Sequence, residues 1–114
     1  MNIQYNLSII RGESKTWKFQ RKDVSGNVIT ETPTAMYFSM KRNYDDAEST
    51  LQKSMSDGIT YNNGWWYIFI PASDTENLQP GMYVCDVKVL SSLGETYLVE
   101  PQSICVKPSV TRHV

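Results

Sequence analysis

Residues Ile59 to Tyr83 read ITYNNGWWYIFIPASDTENLQPGMY, and this one stretch encodes a turn, a strand, a short helical turn and the start of another strand. Asn63-Gly64 tolerates positive φ at both centres of a tight hairpin, so it is expected to join Ile59–Tyr61 to the apolar run Trp65–Ile70. Pro71 ends that run. Ser73, with Glu76 three residues on, reads as a capping box, and Leu78 supplies an apolar anchor, which predicts one helical turn near residues 73–78. Pro80-Gly81 then returns the chain to an extended run from Met82.

Outward from this stretch the pattern is period two throughout, without sustained helical periodicity. Tyr5–Ile10 reads as a first strand, and Arg11-Gly12-Glu13 turns it toward Thr16–Arg21, where Trp17 and Phe19 share one face. Asp23 to Asn27 is a turn cluster, and Val28-Ile29 is expected as a short edge piece before Pro33. In Thr34–Lys41, Met36, Phe38 and Met40 alternate with polar neighbours. Thr50–Met55 is a weak strand with Lys53 between Leu51 and Met55, and Asp57-Gly58 turns into Ile59. Met82–Leu90 places Tyr83, Cys85, Val87 and Val89 on one face. Ser91 to Gly94 is a hairpin loop, Glu95–Glu100 returns antiparallel, Pro101 is expected to break the strand, and Ser103–Val106 is the last one. Eight or nine short strands at roughly ten-residue spacing predict an all-β fold, an antiparallel β-sandwich of immunoglobulin-like or jelly-roll type. A small closed barrel is the structural alternative.

The 114 residues are expected to form one domain, 1–114, with residues 107–114 a tail ordered in an assembly. A net charge of −1, with Lys and Arg dispersed, lacks the footprint of a nucleic-acid binder. There is no apolar run of the ~20 residues a membrane span needs, and MNIQYNLSII lacks the pattern of a signal peptide, so no membrane partner is expected. Cys85 and Cys105 lie in apolar runs and read as free thiols of a cytoplasmically made protein.

Catalytic and metal chemistry find little support. The only histidine, His113, lies one residue from the C-terminus, which argues against a catalytic base. One histidine and two strand cysteines give no metal-ligand spacing, no glycine-rich phosphate loop occurs, and no cofactor is expected. Arg42–Ser49, RNYDDAES, reads as a solvated loop in preference to a carboxylate metal cluster, since it lacks the glycine of a calcium loop. Asp86 is expected on the polar side of a central strand in a structural role, because a general acid would want a second titratable partner.

The aromatics are more informative. Trp17, Trp65, Trp66, Tyr67 and Tyr83 could form a stacking platform for a glycan. However, adjacent strand residues point to opposite faces, so Trp65 lies with Tyr67 and Phe69, and Trp66 lies with Ile68 and Ile70. A strand apolar on both faces is expected to be covered on both sides, by a loop or by a second subunit. Trp65, Trp66, Tyr67 and Phe69 are therefore the candidate interface residues.

The order Gly58-Ile-Thr, Gly64-x-x-x-Ile-x-Ile-Pro-Ala-Ser-Asp-Thr, Leu78-x-Pro-Gly-x-Tyr-Val-x-Asp-Val and Ile104-x-Val-x-Pro-x-Val-Thr-Arg112 resembles a family of small tailed-phage virion proteins. These are related to the N-terminal β-sandwich domain of siphophage upper baseplate proteins. Cys85 stands where that family tends to place an aromatic. The resemblance implies a non-enzymatic structural protein of a phage or prophage particle, made in the host bacterial cytoplasm and placed in a baseplate, tail, neck or head-accessory position. It implies docking to other virion proteins or to further copies of itself. A carbohydrate-binding module for the host surface is the alternative function.

Overall fold

The computed structural model describes residues 7–92 and 94–111. Tyr5 and Asn6 of the expected first strand, Leu93 of the hairpin loop, and Arg112 to Val114 with His113 lie outside the described residues.

The extended runs form β1 (Ser8–Ile10), β2 (Lys15–Phe19), β3 (Ala35–Lys41), β4 (Leu51–Ser54), β5 (Ile59–Asn62), β6 (Trp65–Ile70), β7 (Gly81–Ser91) and β8 (Gly94–Lys107), with one helical turn, α1 (Ala72–Thr75). They build two sheets, one of five strands in the order β1-β8-β7-β3-β4 and one of three in the order β2-β6-β5. The sheets pack face to face as an all-β sandwich. Alternation decides which side chains go between them. Met36, Phe38 and Met40 of β3 and Tyr83, Cys85, Val87 and Val89 of β7 meet Phe19, Ile59, Trp66, Ile68 and Ile70 of the smaller sheet in one buried cluster.

The opening hairpin forms as the Asn-Gly pair predicts. Asn63 (φ 51°) and Gly64 (φ 84°) both adopt positive φ, and β5 and β6 pair in the register Asn62 with Trp65 and Ile59 with Ile68. At the other end of the stretch, Gly81 has φ 136°, and a Cβ there would lie 2.7 Å from the guanidinium of Arg42. That guanidinium sits over the Tyr83 ring, 4.6 Å from its centroid. The Tyr83 hydroxyl donates to the Gln79 carbonyl at 2.7 Å, a bond back over the Pro80-Gly81 turn of the kind that closes tyrosine corners in β-sandwiches.

Four expectations are corrected. First, Ser73 makes no cap: Pro71 is the N-cap residue with no side-chain cap bond, and the Ala72 N–H donates to Ser14 Oγ at 3.1 Å. Thr75, fully buried, donates to the Glu13 carbonyl at 2.8 Å and accepts from the Gly12 N–H at 3.0 Å, so the turn before β2 holds α1. Second, Pro101 does not break the last strand. β8 runs through it because the register with β7 shifts between Cys85–Gln102 and Val87–Val99, leaving one residue of β7 opposite two of β8. Such a bulge leaves a residue outside the ladder and tolerates a missing N–H. Third, β1 pairs parallel with β8, so the larger sheet is mixed at that edge. These strands lie far apart in sequence, and no tight connection dictates their direction. Fourth, Val28 forms only an isolated bridge to Lys22, and no strand forms at Val28-Ile29.

Candidate functional site

β6 is the central strand of the smaller sheet, and its two faces have different fates. Trp66 (3% exposed), Ile68 and Ile70 enter the core, where the Trp66 ring packs against Tyr61 at 4.9 Å between centroids. Trp66 therefore leaves the list of surface candidates, because period two turns it inward when Trp65 turns outward. Trp65 and Tyr67 remain half-buried on the outer face and Phe69 is 45% exposed. The register sets Thr16 and Lys18 of β2 and Thr60 and Asn62 of β5 on either side of this aromatic row. Lys18 is its main cover: Nζ stands 4.3 Å from the Trp65 centroid and 6.0 Å from that of Tyr67. The expected cover on both faces is thus complete on one side only within this chain.

The five-membered glycan platform does not assemble. Trp66 and Tyr83 are core residues, and Trp17 faces inward, tilted against Phe38 with ring centroids 5.3 Å apart.

Next to the aromatic row the sandwich opens at one end into a cleft of about 480 Å³ between the end of β2 and the start of β8. Lys18, Phe19, Gln20, Lys22 and Trp65 line it from the side of the smaller sheet, and Val89, Thr96, Tyr97 and Leu98 line it from the larger. Arg21 also reaches this cleft although it is only 5% exposed, and its Nη1 donates to the Glu31 carbonyl at 3.0 Å. The sequence offered no signal for this site, because its walls come from different sheets.

Asp86 lies on the outer face of β7 as expected, paired in register with Ser39. The structure adds Lys41 and Tyr44 beside it, around a hollow of only about 110 Å³. This is well below the ~300 Å³ at which ligand sites begin. Desolvation raises the Asp86 carboxyl above the usual carboxylate range, with Lys88 and Lys41 opposing. Behind it, burial and then the Asp86 charge push the Cys85 thiol up to about 12.

Cys85 and Cys105 are both free. They stand on neighbouring strands, but Cys105 pairs with Met82, three residues along β7 from Cys85, a distance of roughly 10 Å. Cys85 also points inward. A bridge between them is outside disulfide geometry. The RNYDDAES loop is largely exposed and turns on itself, the Asp46 carboxylate accepting from the Asn43 N–H at 3.0 Å. Among the described residues no group of three or more His, Cys, Asp or Glu side chains is placed to hold a metal ion, and no helix is long and apolar enough to cross a membrane.

One charged residue escaped sequence reasoning. Lys53, read as the polar residue of a weak strand, is 7% exposed and pairs with Asp74 of α1 at 2.5 Å and with Asp57 at 3.7 Å. It ties β4 of the larger sheet to the helix that follows β6. Two charged positions 21 residues apart carry no local pattern that could reveal such a pair.

Fold and surface together define a two-sheet β-sandwich with an aromatic strip on the outside of its smaller sheet. No protein-family model matches the chain, and no curated protein matches it.

Proposed function

We propose that this protein is a non-enzymatic assembly module of a phage or prophage particle, which docks through the outer face of the three-stranded sheet onto another virion protein or a second copy of itself. The observation that carries the reading is the row Trp65, Tyr67 and Phe69 on a strand whose opposite face already fills the core. Folding needs one apolar face per sheet, and a second apolar face on the central strand has no role within the single chain. The motif order that resembles small tailed-phage virion proteins supplies the virion context. Burial drives this function: aromatic side chains centred in an interface of about 1,200–2,000 Å² supply most of the free energy of association, while flanking polar residues such as Thr16 and Asn62 form the rim.

The test is Phe69→Lys, alone and with Trp65→Ala. The wild-type protein is expected to self-associate in concentration-dependent light scattering or to co-assemble with the particle's structural proteins. The variants should keep the wild-type circular dichroism and a cooperative melt, with a melting temperature lowered by no more than a few degrees, and lose that association. Variants that remain fully assembly-competent would remove the aromatic row from the interface.

A further inference from the structure

We propose that the cleft between the end of β2 and the start of β8 binds a carboxylate-bearing saccharide. At about 480 Å³ it has the size of a small-ligand site, whereas the Asp86 hollow does not. Its charge is one-sided. Lys18, Arg21 and Lys22 line it and, among the described residues, no carboxylate does, in a chain whose net charge is −1. An anion entering there meets ammonium and guanidinium donors without a competing internal acid, which favours charge-assisted hydrogen bonds. Arg21 is fixed by its bond to the Glu31 carbonyl, and Lys18 is held over Trp65, so part of this positive wall is ordered before any ligand arrives.

The remaining lining selects the body attached to the anion. Tyr97, 46% exposed, borders the cleft from β8, with Lys88 Nζ 5.9 Å from its ring centroid. Gln20 and Thr96 supply hydrogen-bond donors and acceptors. A pyranose ring has one apolar face for an aromatic surface and hydroxyls for amide and hydroxyl partners. A carboxylate on that ring completes the match with Lys18 and Lys22. A wholly charged peptide would leave Tyr97 and the half-buried Leu98 without partners. A neutral sugar would leave the cations without one. This site uses Trp65 and none of the other aromatics first considered for a glycan platform; it shares Trp65 and Lys18 with the docking face, and Lys22 and Tyr97, outside the aromatic row, distinguish it.

The experiment is calorimetric titration of the intact protein with a galacturonic acid trisaccharide and with sialyllactose. Lactose, a neutral galactose trisaccharide and hexaglutamate serve as controls. At least one acidic sugar should bind saturably. Its affinity should fall by about tenfold or more in Lys22→Glu and in Tyr97→Ala, and the neutral sugars should bind more weakly by a similar factor. Both positions are exposed, and a melting curve checks that each variant is folded. Phe69→Lys should leave sugar binding unchanged, which separates this site from the docking face. The proposal is overturned if neither acidic sugar binds, if neutral sugars bind equally well, if hexaglutamate binds as tightly as the sugars, or if both cleft variants bind like the wild type.

Discussion

The outer face of the three-stranded sheet carries Trp65, Tyr67 and Phe69 in a row down β6, whereas the outer face of the five-stranded sheet carries Ser39, Asp86 and Lys88 across its centre. On the larger sheet the exposed apolar side chains are scattered: Ile10 and Met82 lie toward the β1 edge, and Tyr37 and Tyr97 stand on either side of Lys88. Both sheets have closely packed, mainly apolar inner faces, that of the larger sheet also holding Lys53 and Gln102. Charged groups on the outside of the larger sheet answer one another, as Lys88 does with Glu95 at 3.6 Å, while the smaller sheet meets solvent with rings that Lys18 only partly shields. Complete burial of a large apolar side chain is worth about 1.5–3 kcal/mol, and the β6 row leaves part of that unrealised in the single chain. The difference between the two outer faces is therefore one of arrangement: on the larger sheet a lysine separates the exposed rings, whereas on β6 the rings run in one uninterrupted row that gains from a partner.

The sharpest way to break this comparison is the Trp65–Trp66 pair, neighbours in sequence on opposite faces. Trp66→Ala is expected to cost about 3–5 kcal/mol of stability, because it removes a core indole and leaves a cavity beneath Tyr61. Trp65→Ala should cost less than ~1 kcal/mol and retain two-state unfolding in urea. Equal losses in urea melts would mean that the outer row belongs to the folding core after all.

The next largest effect is expected at the joint between the sheets. Lys53→Ala leaves Asp74 without its partner and should destabilise by about 1–3 kcal/mol, below the value for a fully buried pair because Asp74 keeps part of its side chain in water. Lys53→Met, which keeps the buried stem, should recover part of the loss. If Lys53→Ala melts like the wild type, the ion pair contributes nothing and α1 is held by Ser14 and Thr75 alone.

What the sequence made legible was local. The Asn63-Gly64 turn, the Met36-Phe38-Met40 face and the Tyr83-Cys85-Val87-Val89 face each announce themselves within a few residues, since hairpin geometry and strand alternation are short-range. The two-faced character of β6 was legible for the same reason. What the sequence concealed depends on distant residues. Ser14 caps a helix 58 positions away, Thr75 secures a turn 62 positions away, and Lys53 finds Asp74 across the joint. Pro101 misled because its usual effect on a ladder is cancelled by a bulge that only the register with β7 creates. The cleft was invisible because Lys22 and Tyr97 come together only after the sheets have stacked.

Thiol chemistry sharpens the contrast between inner and outer faces without changing stability. Cys85 points into the core with its thiol pushed up to about 12, while Cys105 lies on the outer face, half-buried between Ser8 and Met82. Titration of the native protein with an aromatic disulfide at pH 8 should therefore release about one equivalent, and denaturant should release the second. Two equivalents from the native state would show that β7 opens on the timescale of the reaction.

The smallest effect is expected at Asp86, where the outer face of the larger sheet is itself imperfect. Its carboxyl is raised in the folded protein, chiefly by desolvation, so the native state binds its proton more readily than the unfolded chain does. Stability from this group is then present below the unfolded value and lost as pH rises through the folded one. Asp86→Asn should raise the melting temperature slightly at pH 7, and the advantage should vanish as the pH falls toward about 4. A variant less stable than the wild type at pH 7 would mean that attraction to Lys41 and Lys88 outweighs desolvation. In that case the polar centre of the larger sheet would be a fully compensated charge network, and its contrast with the aromatic row on β6 would be greater still.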